Sequence, residues 1–508
     1  MVDPFLLAHN SEPLLFDISM FFSPFSIRDQ MLRGFLIAER ARATKLIGKD
    51  RPLLIIGAGF SGVMAALTAA QYGIEVTLVE RERLLGKLAQ NRTRFIDPNV
   101  YEWPALHWTK QTFPFDNSMP LKWGARRRST AALVAAWKKT LDKAEFGDKA
   151  EFGKHLVILD RTELKRYLVE PQGPDYPDTR VVKAYLEPTS SPKNGTGPDA
   201  SAAIAASAGQ PGIFGMAISC VGFAKERCTV GTYTGPDFWD NKLYRKKNYG
   251  LKDGEANVLI SGGGDGALQD YLLAVSKEKS PGRIYASIEE HLPPNVAAQV
   301  GMDIYYAENR ARRALHWEIR KEHEHLILQE LHKQHQAVVT GLLTNHYQEI
   351  DAALAGIVKD LKTELSVKML FSCNHFTSCY ALNRFLVLLI SGYLIQKQEV
   401  KTLYPNSKFV RAIAADGHEC GSAGSCHGRG HQVVYVDSDK CYDKKSVGDK
   451  DAHAPGSRGG RPEQKIARYG PYNIIIVRHG VNPPHPLFNK KPVSNPRQIL
   501  PYHIKHAE

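Results

Sequence analysis

Apolar positions follow two rhythms along the chain. Residues 26–47 repeat with helical spacing (Met31, Leu32, Phe35, Leu36, Ala41) and stop at the breaker Gly48-Lys49-Asp50. Residues 52–56 are instead a continuous apolar run, as expected of a strand covered on both faces. An Ala-rich helix over 63–72 and a strand over 74–79 follow, so residues 51–80 read as one β-α-β unit. A helix is predicted over 131–146, and strands over 155–160, 181–186 and 215–221. The tandem Asp-Lys-Ala-Glu-Phe-Gly within 142–153 reads as a local insertion, and the Ser-, Pro-, Gly- and Ala-rich stretch 188–212 as a loop or linker. A second β-α-β unit opens near Asn257, with a strand at 258–260, a helix at 267–275 and a strand at 283–287. Beyond Pro294 long helices are expected over 302–335, 336–367 and 377–396, then a loop over 420–460 and a last strand over 472–477.

Composition narrows the class. At roughly 150 residues per domain, the chain predicts about three domains. A net charge of +13 over 508 residues favours anionic ligands but is modest. The basic runs 126–128 and 245–247 are short and read as solvated faces, so no nucleic-acid partner is expected. Seven cysteines, odd in number and thinly spread, point to a reducing compartment rather than a disulfide framework. The start, Met-Val-Asp-Pro-Phe-Leu-Leu, has no basic n-region, and the apolar stretch 385–395 is too short to span a bilayer. A soluble, cytoplasmic protein with no membrane partner is the expectation.

Two glycine-rich turns carry the chemistry. Gly57-Ala58-Gly59-Phe60-Ser61-Gly62 follows an apolar strand, opens a helix, and is followed by Glu80 at the end of the next strand. Gly57 permits the tight turn, Gly59 lets backbone approach a pyrophosphate, and Gly62 allows close helix–strand packing. The helix N-terminus would hold the phosphates, and Glu80 would accept from ribose hydroxyls. Gly262-Gly263-Gly264-Asp265-Gly266-Ala267 repeats the arrangement as G-x-G-x-x-A, with Gly262 and Gly264 in the turn and Ala267 at the packing position. The acidic Glu289 and Glu290 after the expected strand tilt the second site toward NAD over NADP, although Arg283 leaves both open. A purely structural turn is the competing reading of the second motif.

Two such units, together with Met216-Ala217-Ile218-Ser219-Cys220-Val221-Gly222 before the second, resemble the flavoproteins with two dinucleotide-binding domains. These include thioredoxin-reductase-like and class B flavin monooxygenase enzymes, and the resemblance covers residues 53–274. It implies FAD on Gly57, Gly59, Phe60, Ser61, Gly62 and Glu80, and NAD or NADP on Gly262, Gly264, Asp265, Gly266 and Ala267. The implied fold is α/β, with two Rossmann-like domains and a mainly helical C-terminal region. Its expected parts are a helical extension (1–50), an FAD domain (51–222), an NAD(P)-binding-like domain (223–294), a helical region (295–400) and a C-terminal part returning to the FAD domain (401–508).

The chain also departs from that family. It has no Cys-x-x-Cys, which excludes the dithiol reaction of thioredoxin reductases. Tyr233-Thr234-Gly235-Pro236-Asp237-Phe238-Trp239 stands where the monooxygenases carry a Phe-x-Gly-x-x-x-His signature, and the histidine is missing. In the family the segment after the ribose-binding acid runs toward the flavin, which makes Arg94, Asp97, Tyr101, Glu102, Trp103, His107 and Trp108 candidates to line it. His418, Cys420, Cys426, His427, His431 and Cys441 are zinc-ligand types, but their spacing fits no zinc pattern, so they read as a polar loop and no metal is assigned. Arg478-His479-Gly480 resembles a phosphohistidine motif, but only 28 residues follow it, too few for that fold.

The leading expectation is an FAD-dependent oxidoreductase exchanging hydride with a nicotinamide cofactor and acting on a small substrate. The two domains would then face one another across a cleft. An FAD-dependent amine or amino-acid oxidase would use the first motif alone. A cofactor-binding sensor or scaffold, with the helical region as its homo-oligomer surface, would use either motif without turnover. No catalytic residue is assigned.

Overall fold

The structure, a computed structural model, describes residues 3–19, 27–86, 94–96, 100, 103–104, 119–121, 128–146, 155–172, 179–189, 211–222, 226–239, 256–278, 280–317, 321–361, 365–414, 431–437, 466–481 and 487–488. The chain forms two compact units. Unit 1 comprises Met1–Ile96, Lys110–Ala224 and Asn482–Glu508; unit 2 comprises Asp97–Thr109 and Lys225–Val481.

Unit 1 contains, in chain order, α1 (Pro4–His9), β1 (Asn10–Glu12), β2 (Leu15–Asp17), α2 (Ile27–Ala43), β3 (Leu53–Ile56), α3 (Phe60–Ala70) and β4 (Val76–Glu80). After these come β5 (Phe95–Ile96), β6 (Arg128–Ser129), α4 (Thr130–Phe146), β7 (Leu156–Asp160), β8 (Thr162–Pro171), β9 (Arg180–Pro188), β10 (Gly212–Phe214) and β11 (Met216–Ser219). Its main sheet has the order β1-β2-β11-β3-β4-β7, and every pairing from β2 to β7 is parallel. β3 is buried at all four positions, which is why its sequence runs Leu-Leu-Ile-Ile without alternation. β8, β9 and β10 form a separate antiparallel sheet.

The first fifty residues were expected to be helical, yet they supply β1 and β2 to this sheet. Leu15 and Phe16 are buried there, in parallel register with Ala217 and Ile218. α2 then packs directly on α3. A Cβ at Gly34 of α2 would lie 2.2 Å from the Ser61 carbonyl oxygen, so only glycine admits this approach.

Unit 2 contains β12 (Thr229–Val230), β13 (Tyr233–Thr234), β14 (Ala256–Ser261), α5 (Asp265–Val275), α6 (Pro281–His291), α7 (Pro294–Trp317), α8 (Lys321–Asn345), α9 (Tyr347–Leu354) and β15 (Leu365–Leu370). It continues with α10 (Ala381–Gln398), β16 (Leu403–Tyr404), β17 (Ser407–Ala414), β18 (His431–Asp437), β19 (Ile466–Tyr472) and β20 (Ile474–Val477). Its parallel sheet runs β16-β15-β14-β20. β17, β18 and β19 form an antiparallel sheet.

Several expectations fail in unit 2. The loop expected over 420–460 contains β18, and the division expected between helices at 335 and 336 falls inside α8. The segment 283–287 is helical, not a strand. Pro281 occupies the start of α6, and Ile284 and Ile288, four residues apart, are its buried positions. β14 pairs with β20 on one side and on the other with β15, which overlaps the end of the helix expected over 336–367. The Leu-Ser-Val-Lys-Met of β15 alternates with period two, burying Val367 and Met369 while Ser366 and Lys368 are half-exposed. The helices α6 to α9 therefore lie in the chain between two neighbouring strands of one sheet, rather than as a region appended after it. α10 is buried along most of its length, with Phe385, Leu386, Leu389 and Ile390 in the core of the unit.

The close contact of α2 on α3 gives a stability test. Gly34→Ala forces a methyl against backbone oxygen, and a loss of about 1–3 kcal/mol is expected from overpacking. A denaturation midpoint unchanged from the parent would contradict this packing.

Candidate functional site

The carboxyl ends of the parallel strands of unit 1 gather its polar groups. In sheet order the row is Asp17, Ser219, Ile56 leading to Gly57, Glu80 and Asp160, matched by the registers Ser219↔Asp17, Ser219↔Ile56 and Glu80↔Asp160. Ligands of open parallel sheets bind at such an edge.

Gly57 has a φ of 102°, a left-handed conformation that a side chain would strain. Its N–H donates to the Val79 carbonyl at 2.8 Å, tying the turn to β4. A Cβ at Gly62 would lie 1.9 Å from the Gly57 oxygen, so the first turn of α3 presses on the strand end. Gly59 differs from both. It caps α3 without a side-chain hydrogen bond, and a Cβ built on it meets nothing within 4 Å among the described residues. The first-turn N–H groups and the positive end of the helix are thus offered beside open space.

Glu80 closes the turn. Its Oε2 accepts from the Ala58 N–H and its Oε1 from the Glu82 N–H, each at 2.8 Å. An ionised carboxylate keeps further lone pairs for hydroxyl donors. Phe60 and Ser61, assigned to the cofactor from the motif, are both buried; the Phe60 ring meets Trp137 edge-on at 4.8 Å.

Sequence reasoning missed Asp17, Ser19, Asp160 and Ser219. Asp17 Oδ1 accepts from the Ser19 N–H at 2.7 Å, and burial pushes its carboxyl above the ordinary value. Asp160 Oδ1 accepts from the Leu84 N–H at 2.9 Å, and burial again raises it. The hydroxyl of Ser219 is buried and has no hydrogen-bond partner among the described residues. The Leu-Leu-Phe-Asp-Ile run at 14–18 was the available signal for the first two, being of strand length and apolar. Open backbone at Gly59, glycines where side chains would clash, an anchored acid and the unsatisfied Ser219 hydroxyl together fit a dinucleotide such as FAD.

The second glycine turn has the same backbone signature but different surroundings. Gly262 has a φ of 144°, and a Cβ there would meet the Arg478 carbonyl oxygen at 2.2 Å. Gly264 caps α5, but its Cβ direction is covered by the Thr377 hydroxyl at 3.3 Å. Gly266 is likewise covered by the Phe238 ring at 3.3 Å, and Ala267 is wholly buried. Asp265 accepts from the Asn383 amide at 2.7 Å, the Tyr380 N–H at 3.1 Å and the Gln269 amide at 2.7 Å. Burial outweighs these bonds and pushes its carboxyl up to about 6.

Arg478 is committed as well. It pairs with buried Asp270 at 2.8 Å and donates to the Pro236 carbonyl at 2.6 Å. His479 Nε2 lies 2.8 Å from the Ser261 hydroxyl. In the aromatic segment, Trp103 packs in the core of unit 2 against Tyr285 and Phe385, at 5.0 and 5.2 Å between ring centroids. The carbonyl of buried Arg94 accepts from the Thr130 N–H at 3.1 Å. Asp97, Tyr101, Glu102, His107 and Trp108 lie outside the described residues. Burial holds the free cysteines Cys228 and Cys379 at about 12 and pushes Cys220 up further, so these three are thiols rather than nucleophilic thiolates.

Residues 53–191 match the family model described as FAD dependent oxidoreductase. That match agrees with the resemblance carried by the first glycine turn, and it supports FAD as a cofactor. No curated protein matches the chain. Among solved structures, thioredoxin reductase from Lactococcus lactis is 11% identical, with 85% of this chain and 78% of that one covered, at a TM-score of 0.33. Thioredoxin reductase from T. acidophilum is 10% identical over 85% and 78%, at 0.34. A bacillithiol disulfide reductase from Bacillus cereus is 8% identical over 85% and 78%, at 0.33. Overlays this loose bear no functional argument. No helix among the described residues is long and apolar enough to cross a membrane.

Asp265 offers a pH test of how tightly the second turn is packed. Its folded pKa lies above the unfolded value of 3.8, so the native state binds more protons between the two. Stability should therefore fall as pH rises from 4 to 6, by up to about 3 kcal/mol. Asp265→Asn removes this slope, because its amide oxygen still accepts two bonds and the Gln269 amide can turn to accept the third. A variant with the parental pH slope would show that Asp265 is not buried as described.

Proposed function

We propose that unit 1 binds FAD on the turn from Gly57 to Gly62 and that the chain is an FAD-dependent oxidoreductase acting on a small substrate. The observation that carries this is the open space at Gly59, at the start of α3 and beside Glu80. The glycine there has no packing role, so what it leaves room for is a ligand. The family match over residues 53–191 supports the same reading.

Bound FAD would supply the isoalloxazine ring that carries the electrons. The first-turn N–H groups of α3 would hold the pyrophosphate, and Glu80 would accept from the ribose hydroxyls while its bond to the Ala58 N–H keeps the turn closed. Asp17 and Asp160, whose carboxyls burial raises above the ordinary value at either end of the strand row, are candidates there to take or give a proton.

The finer reading has hydride exchanged with NAD or NADP on Gly262, Gly264, Asp265, Gly266 and Ala267. The tilt toward NAD loses its basis, since Glu289 and Glu290 lie on α6 and not at the end of a strand. A specific observation favours the oxidase reading, in which no dinucleotide occupies this turn. Thr377 and Phe238 already stand over Gly264 and Gly266, and the Asp265 carboxylate is used internally.

Gly59→Val should fold with parental stability and lose flavin absorbance, because the added methyls meet only ligand. A folded variant with full flavin content would overturn the assignment. Anaerobic reduction of the parent separates the two electron sources. Bleaching by NADH or NADPH supports the nicotinamide reading, whereas bleaching by an amine or amino acid alone supports the oxidase.

A further inference from the structure

Unit 2 holds a trio of nitrogen and sulfur donors that neither reading of the function uses. His325 comes from α8, while Cys373 and His375 come from the segment between β15 and α10. One donor atom from each lies within 4.8 Å of the other two.

The geometry is that of ligands around a small ion. His325 Nδ1 and His375 Nε2 are 3.3 Å apart. Two imidazole nitrogens, each about 2.0–2.1 Å from a tetrahedral zinc ion, are themselves separated by about 3.3–3.4 Å. The tautomer is also set. His375 Nδ1 lies 2.9 Å from the Asn374 amide oxygen, which only accepts, so Nδ1 carries the proton and Nε2 presents its lone pair. An outer hydrogen bond of this kind orients a metal-binding histidine. A plain hydrogen bond between the two rings would explain the 3.3 Å separation. The Cys373 sulfur completes the trio at the same point.

Cys373 is disulfide-bonded in this structure. A sulfur in such a bond is not a thiolate ligand, so the two uses exclude one another. Reduction by an external thiol or phosphine delivers two electrons, and with two protons it yields two thiols. The Cys373 thiol then releases its proton to solvent when it binds a cation. Two imidazoles and one thiolate suit a borderline ion such as Zn²⁺ and suit Mg²⁺ or Ca²⁺ poorly. We infer that His325, Cys373 and His375 form a zinc-class metal site that becomes available when the Cys373 disulfide is reduced. This inference does not rest on the FAD reading.

The test uses the full chain, reduced with a phosphine, freed of metal and titrated with Co²⁺ as an optical probe. A thiolate-to-cobalt charge-transfer band should appear, be displaced by Zn²⁺, and be absent in the oxidised chain. Cys373→Ser should abolish the band. His325→Gln, at a half-buried position, should weaken Co²⁺ binding at least as much as Asn374→Ala, which should weaken it about 10- to 100-fold. Thermal unfolding without metal checks that each variant folds, and His325→Gln serves if the buried His375→Ala does not. Because the chain has other cysteines, a band that survives Cys373→Ser and His325→Gln unchanged would overturn the site. So would the absence of any band in the reduced parent, or the same band in the oxidised chain.

Discussion

A methyl group at position 62 would sit 1.9 Å from the carbonyl oxygen of Gly57, and much of unit 1 depends on that distance. It brings α3 onto the end of β3, turns Gly57 into its left-handed conformation, and lets the Ala58 N–H reach the Glu80 carboxylate one strand away. On its far side the same helix receives α2 at Gly34, with no room for a side chain against Ser61. Backbone is therefore packed against backbone on two sides of α3. Overpacking at either contact would cost on the order of 1–3 kcal/mol, a large part of what holds a domain folded. Within this crowding, Gly59 is the one position of the turn whose missing side chain serves no internal contact.

The β-α-β core was legible because each of its signals was local and mutually consistent. The apolar run at Leu53–Ile56, the three glycines and the acid at Glu80 lie within one supersecondary unit, and the observed ends differ from expectation by a few residues. What escaped were features decided by distant partners. β1 and β2 are three residues each; β2 is a strand because β11 lies alongside it, and β1 because it pairs with β2. With them were missed Asp17 and Ser19, two of the polar groups of the site. In α6, Arg-Ile-Tyr-Ala-Ser can be read with either period over so short a span, and the burial of Ile284 and Ile288 on one helix face decided the matter. At β15 the alternation was present but stood beside long helical patterns, which drew the expected helix boundary into the strand, to 367.

The two glycine turns show how far a motif reaches. Both place a glycine with positive φ after a buried parallel strand, and both let a glycine cap the following helix. The letters encode that backbone, and the backbone is present twice. Whether a ligand can use it depends on what stands in front of the capping glycine. That is settled by residues far away in sequence. At Gly59 there is open space; at Gly264 there is the Thr377 hydroxyl, delivered by the segment that follows β15.

The covering of the second turn is built from polar interactions that would be costly to undo. Asp265 binds three donors, two of them from the start of α10, and Arg478 joins Asp270 of α5 to the end of β20. Removing one member of a buried pair leaves an uncompensated charge, which typically destabilises by several kcal/mol. A dinucleotide entering here would first have to displace the Thr377 segment, whose N–H also donates to the Gly263 carbonyl at 2.9 Å. Its phosphates would then have to replace those contacts while lying near a carboxylate. At the first turn no described residue stands over Gly59, and Glu80 already receives an N–H from the turn itself. The free-energy difference between the two sites thus comes less from the glycine motif than from the cost of clearing it, and that cost falls on the second turn alone.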